Sequence, residues 1–219
     1  MKYIKLFENF EDYDPYELMM IPPIKKGEMI ANELYTSKPN INLISDLISL
    51  GADLDIEFID GGFTPLYFCA VNNYPEIAKM LIDAGANVDW RGDRGRTALH
   101  VCAIRNNKEI AKMLIDAGAD LNVQDKEGYT ALHLCAFISF KREIARMLID
   151  AGADVNIQQG YDGKTALMNF ILYGENDIVE LILERPDVDV NIKSNEGNTA
   201  WSLASRTIRK RFPKLKPTE

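Results

Sequence analysis

Cys69, Cys102 and Cys135 lie 33 residues apart, and the two histidines of the chain, His100 and His133, keep the same interval. Thiolate and imidazole are side chains that zinc takes readily, at about 2.0–2.3 Å from the metal. The equal spacing argues against such a site. Residues that recur at a fixed interval occupy equivalent slots in successive units, and stacked helices stand roughly 8–10 Å apart, so equivalent slots cannot share one ion. Cys102 also follows His100 by two residues, which turns it to nearly the opposite side of a helix. A disulfide fails on the same ground, because bridged Cα atoms come within about 7 Å. The three cysteines are expected as small buried hydrophobes, kept reduced, with no metal and no cofactor.

Other chemistry finds few members. The chain carries no G-x-S-x-G elbow and no paired carboxylates outside recurring turn positions, so an acid–base or nucleophilic constellation has no obvious residues. "GYDGKTAL" at 160–167 has the Gly-Lys-Thr order of a phosphate-binding loop. It lacks the G-x-x-x-x-G-K-[ST] spacing and a preceding buried strand, and Lys164 reads instead as the variable residue of a turn. An enzyme is not expected.

The elements that would position any site emerge from a longer repetition. "EIAKMLIDAGA" stands at 76–86 and again at 109–119, with "EIARMLIDAGA" at 143–153. Gly51, Gly85, Gly118 and Gly152 open similar strings at intervals of 34, 33 and 34 residues. Thr64, Thr97, Thr130, Thr165 and Thr199 recur at 33, 33, 35 and 34. Two markers keeping one period point to a solenoid whose units touch only their neighbours. Within a unit, Gly95 and Thr97 read as a turn and a helix start, and Ala98, Leu99, Cys102 and Ala103 as the apolar stripe of a short first helix. "NNK" at 106–108 breaks it. Ile110, Ala111, Met113, Leu114 and Ala117 then line a second helix that Gly118 ends by accepting a left-handed conformation. On its solvated side Lys79/Asp83, Lys112/Asp116 and Arg146/Asp150 stand four apart, each pair contributing about 0.2–0.5 kcal/mol.

"GRTALHVCA…EIAKMLIDAGADLN" resembles the ankyrin repeat, with its G-x-T-P-L-H-x-A-A opening, two helices and G-A-D-V-N close. The resemblance runs from about Gly27 to about Arg211. It implies an all-α ankyrin-repeat solenoid of stacked helix-turn-helix units with β-hairpin-like loops. It also implies a concave side that binds proteins, histidines that orient loops, and cysteines standing where the family has alanine. We count about six repeats, four of them complete, with divergent caps. "GEMIANELYTSKPN" ahead of the first clear unit keeps no T-P-L-H, and "NEGNTAWSLASRTIRKRF" keeps a first helix and then stops. Three irregularities interrupt the period: an extra residue in "FISFKR" at 137–142, a longer loop in "IQQGYDG" at 157–163, and Pro186 in place of the helix-ending glycine. The expected division is an arm or short helix over residues 1–26, the array over 27–211 and a basic tail over 212–219.

Binding residues should sit where the repeat leaves positions free. Carrying the family's variable slots over, the first complete unit offers Phe63, Val71 and Asn72, and the next offers Asp93, Arg94, Arg96, Ile104 and Arg105. Lys126, Glu127, Tyr129, Phe137 and Ile138 follow, then Tyr161, Asp162, Lys164, Leu172 and Tyr173. Trp90 and Arg91 lie just ahead of a loop tip. Tyrosine, tryptophan and arginine dominate interface energetics because they bury large area and keep a polar handle. Trp90, Arg91, Asp93, Arg94, Arg96, Arg105, Tyr129, Phe137, Ile138, Tyr161, Lys164 and Tyr173 form the expected partner-binding set. The plainer reading is a scatter of exposed aromatics with no partner.

Composition bounds the rest. A net charge of −8 over 219 residues disfavours a general binder of nucleic acid or anionic membrane. No apolar run approaches the roughly 20 residues of a membrane span, and no signal-peptide stretch opens the chain. A monomeric, cytoplasmic protein with nuclear residence as the alternative is expected, with a protein partner and no small-molecule substrate. "MKYIKLFENFEDYDPYELMMIPPIKK" mixes aromatic and acidic residues, as a short helix, an arm on the cap or a docking peptide would. The tail gathers Arg206, Arg209, Lys210, Arg211, Lys214 and Lys216, which supports a second reading: a regulator tethered to nucleic acid or acidic membrane. Its alternative is the solvated end of a capping helix.

Overall fold

The recurring threonines become helix starts. The computed structural model describes residues 15–58, 62–92, 94–137 and 142–217, and the elements among these described residues are thirteen α-helices and one 3-10 turn, Pro213–Leu215. Ten of the helices form five packed pairs, and the last two, both short, close the array. The first helices are α2 (Pro23–Leu34), α4 (Pro65–Asn72), α6 (Ala98–Arg105), α8 (Ala131–Ala136), α10 (Ala166–Leu172) and α12 (Ala200–Leu203). The second helices are α3 (Ile41–Ser49), α5 (Pro75–Asp83), α7 (Lys108–Asp116), α9 (Arg142–Asp150), α11 (Asn176–Glu184) and α13 (Arg206–Arg211). First helices pack against first helices, α2 to α4 and so on to α12, and α3, α5, α7, α9 and α11 pack in the same succession. Two layers result, each unit touching its neighbours.

Local chemistry explains the repeat. Thr64, Thr97, Thr130, Thr165 and Thr199 all stand at N-caps with extended backbone. In four of them the hydroxyl accepts the N–H three residues on, from Tyr67, His133, Met168 and Ser202 at 3.3–3.4 Å, which satisfies one of the donors a helix start leaves open. At the far end of α7, Gly118 adopts φ +82° and its N–H closes on the Ile115 carbonyl. Ile110, Ala111 and Leu114 are buried, while Met113 is half-buried and Ala117 exposed, so the apolar stripe is narrower than its spacing predicts. Asn106 ends α6 in the left-handed region at φ +65°. The extended Arg185 ahead of Pro186 ends α11.

The units are stitched at both rims. The loops fold back as narrow hairpins, with Gly92, Asp125, Gln159 and Ser194 N–H groups reaching the carbonyls of Arg96, Tyr129, Lys164 and Asn198. Neighbouring tips join through Lys126 to Arg94, Gly160 to Glu127 and Asn195 to Asp162. At the opposite rim the side-chain oxygens of Asp55, Asp89, Asn122 and Asn156 each accept one N–H from the following unit, at 2.8–2.9 Å. Between layers, buried Asn107 donates through Nδ2 to the Ala70 carbonyl at 2.6 Å.

The two ends depart from the full unit. At the first, α1 (Pro15–Met20) adds Leu18 to the core and α2 buries Met29, Ile30 and Leu34 without a threonine cap. At the other, the unit does not stop after its first helix: α13 follows, and Phe212 and Leu215 turn back into the core. Among the described residues no helix is long and apolar enough to cross a membrane.

Candidate functional site

His100 and His133 are structural. The Thr97 N–H and hydroxyl both approach His100 Nδ1, at 3.1 and 2.9 Å, which fixes Nδ1 as an acceptor and leaves the proton on Nε2 to donate to the Tyr129 carbonyl at 3.0 Å. His133 repeats the arrangement with Thr130 and the Lys164 carbonyl. Each imidazole thus ties a helix start to the next loop. Burial lowers both pKa values, that of His133 to about 4, so both rings are neutral at pH 7. Cys69, Cys102 and Cys135 are buried free thiols, and burial pushes the first two well above the ordinary thiol range. They are inert hydrophobes. Among the described residues no three His, Cys, Asp or Glu side chains gather at a metal-sized site.

Two adjoining surfaces open on the first-helix layer. Between α4 and α6 runs a groove of about 290 Å³, floored by Phe63, Tyr67, Val71, Val101 and Ile104. Arg94, Arg96 and Arg105 rim it. Arg96 is committed, its Nε donating to Asp125 at 2.9 Å with Glu127 at 3.7 Å. Arg94 and Arg105 are exposed, and neither guanidinium is ion-paired among the described residues.

Beyond Arg96 the character changes. Tyr129, Phe137 and Tyr173 meet edge to face in a ladder, with ring centres 5.3 and 5.6 Å apart. Phe137, Leu172 and Tyr173 are 37, 49 and 51% exposed, a high fraction for side chains of this size. The Tyr129 phenol titrates above its ordinary range, through burial first and then through Asp162, Glu127 and Asp125. The face therefore passes from an arginine-rimmed groove to aromatic rings beside carboxylates.

The remaining expected residues separate. Trp90 is half-buried, with its indole N–H donated to the Gly62 carbonyl at 3.1 Å, and Arg91 donates to the Gln124 carbonyl. Both lock neighbouring loops. Tyr161 stands at a loop tip at 83% exposure, and Lys164 pairs with Asp162. Asp93 and Ile138 lie outside the described residues. Tyr67 and Val101, which complete the groove floor, are not marked as binding residues by the sequence, where the first takes the histidine slot and the second reads as core. A shape-filling aromatic in that slot was the available signal.

The model of the family described as ankyrin repeats (3 copies) matches residues 85–159 and 139–211, and that of the single ankyrin repeat matches 61–93. The chain belongs to the ankyrin repeat family. It is 51% identical over 35 residues to an ankyrin repeat protein of Rickettsia bellii (strain RML369-C), a stretch covering 16% of this chain and 5% of that protein. The matched region is thus a small fraction of the relative's length. Ankyrin repeats serve in general as protein-interaction modules, and are typically non-catalytic. In this ankyrin array the basic end is partly engaged already: Arg209 donates to the Trp201 and Ser202 carbonyls and lies over the Trp201 ring, and Arg211 pairs with Glu180.

Proposed function

We propose that this ankyrin array is a non-catalytic adaptor, scaffold or inhibitor that grips a protein partner through the first-helix face and the loop tips. The observation that carries the reading is the Tyr129–Phe137–Tyr173 ladder, in which the exposed rings of Phe137 and Tyr173 are held in register with half-buried Tyr129. Large side chains already ordered before binding lose little entropy when a partner covers them. The groove and the ladder lie on the same layer of first helices, and an ordinary protein interface buries about 1,200–2,000 Å².

The test is a pull-down from the native cell with the wild-type chain beside one carrying Tyr129, Phe137, Tyr161 and Tyr173 replaced by alanine. Loss of a partner with the folded signal intact supports the reading; an unchanged set of partners overturns it in favour of a bare spacer. Attachment through the basic end would instead weaken steeply with salt and disappear on deletion of residues 206–219.

A further inference from the structure

We infer that the arginine-rimmed groove between α4 and α6 receives an extended acidic segment of the protein partner, in which carboxylates four residues apart flank one apolar side chain. The inference rests on the adaptor reading above and names the chemistry that this part of the face selects. Charge is the first argument. On a chain of net charge −8, Arg96, Arg142, Arg185 and Arg211 each meet a carboxylate, whereas Arg94 and Arg105 are exposed and meet none among the described residues. Both stand at the rim of one apolar floor. A guanidinium fork holds a carboxylate by two parallel hydrogen bonds, and beside an apolar floor that attraction is screened less than in open water.

Shape fixes the conformation of the occupant. Adjacent helices of the layer stand roughly 8–10 Å apart, and a helix with its side chains is about 10–12 Å across, so a helix is too wide to sink between α4 and α6. An extended segment fits. Arg94 belongs to the hairpin that leads into α6, and Arg105 closes that helix, whose eight residues are about 12 Å long. Four residues of extended chain cover about 13 Å and bring residues i, i+2 and i+4 to one face. Carboxylates at i and i+4 thus match the two cations, and the side chain at i+2 falls on the floor between them. That floor is ordered: Phe63 and Tyr67 meet edge to face with ring centres 4.9 Å apart, and Val71 and Ile104, half-buried like them, keep apolar surface for an occupant to cover.

The experiment uses the full chain and a fluorescein-labelled peptide, Ser-Glu-Thr-Leu-Thr-Glu-Ser, read by anisotropy. Saturable binding is expected. Arg94→Glu or Arg105→Glu alone should weaken it about tenfold and the two together abolish it, with the melting curve unchanged. Arg146→Glu, the same charge change at an exposed position of α9 in the second-helix layer, should leave it as it was. Replacing the leucine of the peptide by glycine should cost about tenfold, and so should moving one glutamate by one residue, which turns it to the opposite face. The assay needs no native partner, so this inference can fail while the pull-down succeeds. A peptide that does not bind, or binding indifferent to the two arginines or to the glutamate spacing, overturns it. So does a thymidine oligonucleotide that competes on equal terms, or a dimer in sedimentation that the two charge reversals dissolve, since either gives the groove another occupant.

Discussion

Phe137 and Tyr173, the residues that close α8 and α10, meet edge to face with ring centres 5.6 Å from one another, although each is a surface residue. Aromatic pairs in this geometry contribute about 0.5–1.5 kcal/mol beyond the area they bury. We predict a coupling of about that size between Phe137→Ala and Tyr173→Ala in a double-mutant cycle of urea unfolding. The ladder would then be ordered before any partner arrives. Additive single mutants would mean rings that merely lie near each other.

The histidine links make stability depend on pH in a defined window. Burial holds His133 neutral in the fold, with a pKa of about 4, whereas the unfolded chain takes up a proton near 6.5. Above pH 6.5 the two states bind the same number of protons and nothing is lost. Between 6.5 and 4 the unfolded state binds more, so stability falls as pH falls, by about 2 kcal/mol at pH 5 and about 3 at pH 4, then levels off. His100 shifts the same way. The depressed carboxyl of Asp187 acts only below 3.8 and leaves this window alone. Urea midpoints at pH 7 and 5 measure the effect, and His133→Gln should shrink it. Equal midpoints would remove the buried neutral imidazole from the account.

Much of this was legible in the sequence because its chemistry is local. Thr130 caps a helix with its own hydroxyl and a histidine three residues on, and Gly118 ends one by a torsion other residues resist; both signals act within one turn of chain. In the sequence Asn107 signals only a break between helices, yet its amide crosses 37 positions to the Ala70 carbonyl. Arg142, likewise, bridges Glu175 and Asp177 on the next unit. A pairing between repeats leaves no trace in either partner's immediate neighbours. Residue type and a place just ahead of a loop tip suggest binding for Trp90, yet its indole N–H is already held by the Gly62 carbonyl. The groove needed two adjacent helices in register before Phe63 and Val101 shared a floor.

Two glycines with nearly the same torsion should respond differently. Gly118 and Gly128 have φ of +82° and +83°, but a Cβ on Gly118 would meet open space, while one on Gly128 would come within 2.1 Å of the Gly160 N at the next loop tip. Gly118→Ala should cost only the left-handed torsion, about 1 kcal/mol. Gly128→Ala carries the same cost and must also push apart the loops joined by the Gly160 to Glu127 hydrogen bond, for a total of about 2–4 kcal/mol. Chemical denaturation of the two variants decides it. Equal losses would show that the tips are not in close contact.

Asn169 offers a change in the stabilising direction. It sits in α10 with 3% of its surface exposed, and its Nδ2 group has no hydrogen-bond partner among the described residues. The equivalent slots in the neighbouring repeats hold Val101, Leu134 and Leu203, so the surroundings are built for a branched apolar side chain of similar volume. A buried unpaired amide donor costs about 1–3 kcal/mol, and Asn169→Leu removes it without opening a cavity. We expect the variant to gain about 1–2 kcal/mol in urea unfolding, given some imperfect repacking. A loss of that size would mean that the amide is satisfied in solution, by a water seated beside it, and that the slot is polar by construction.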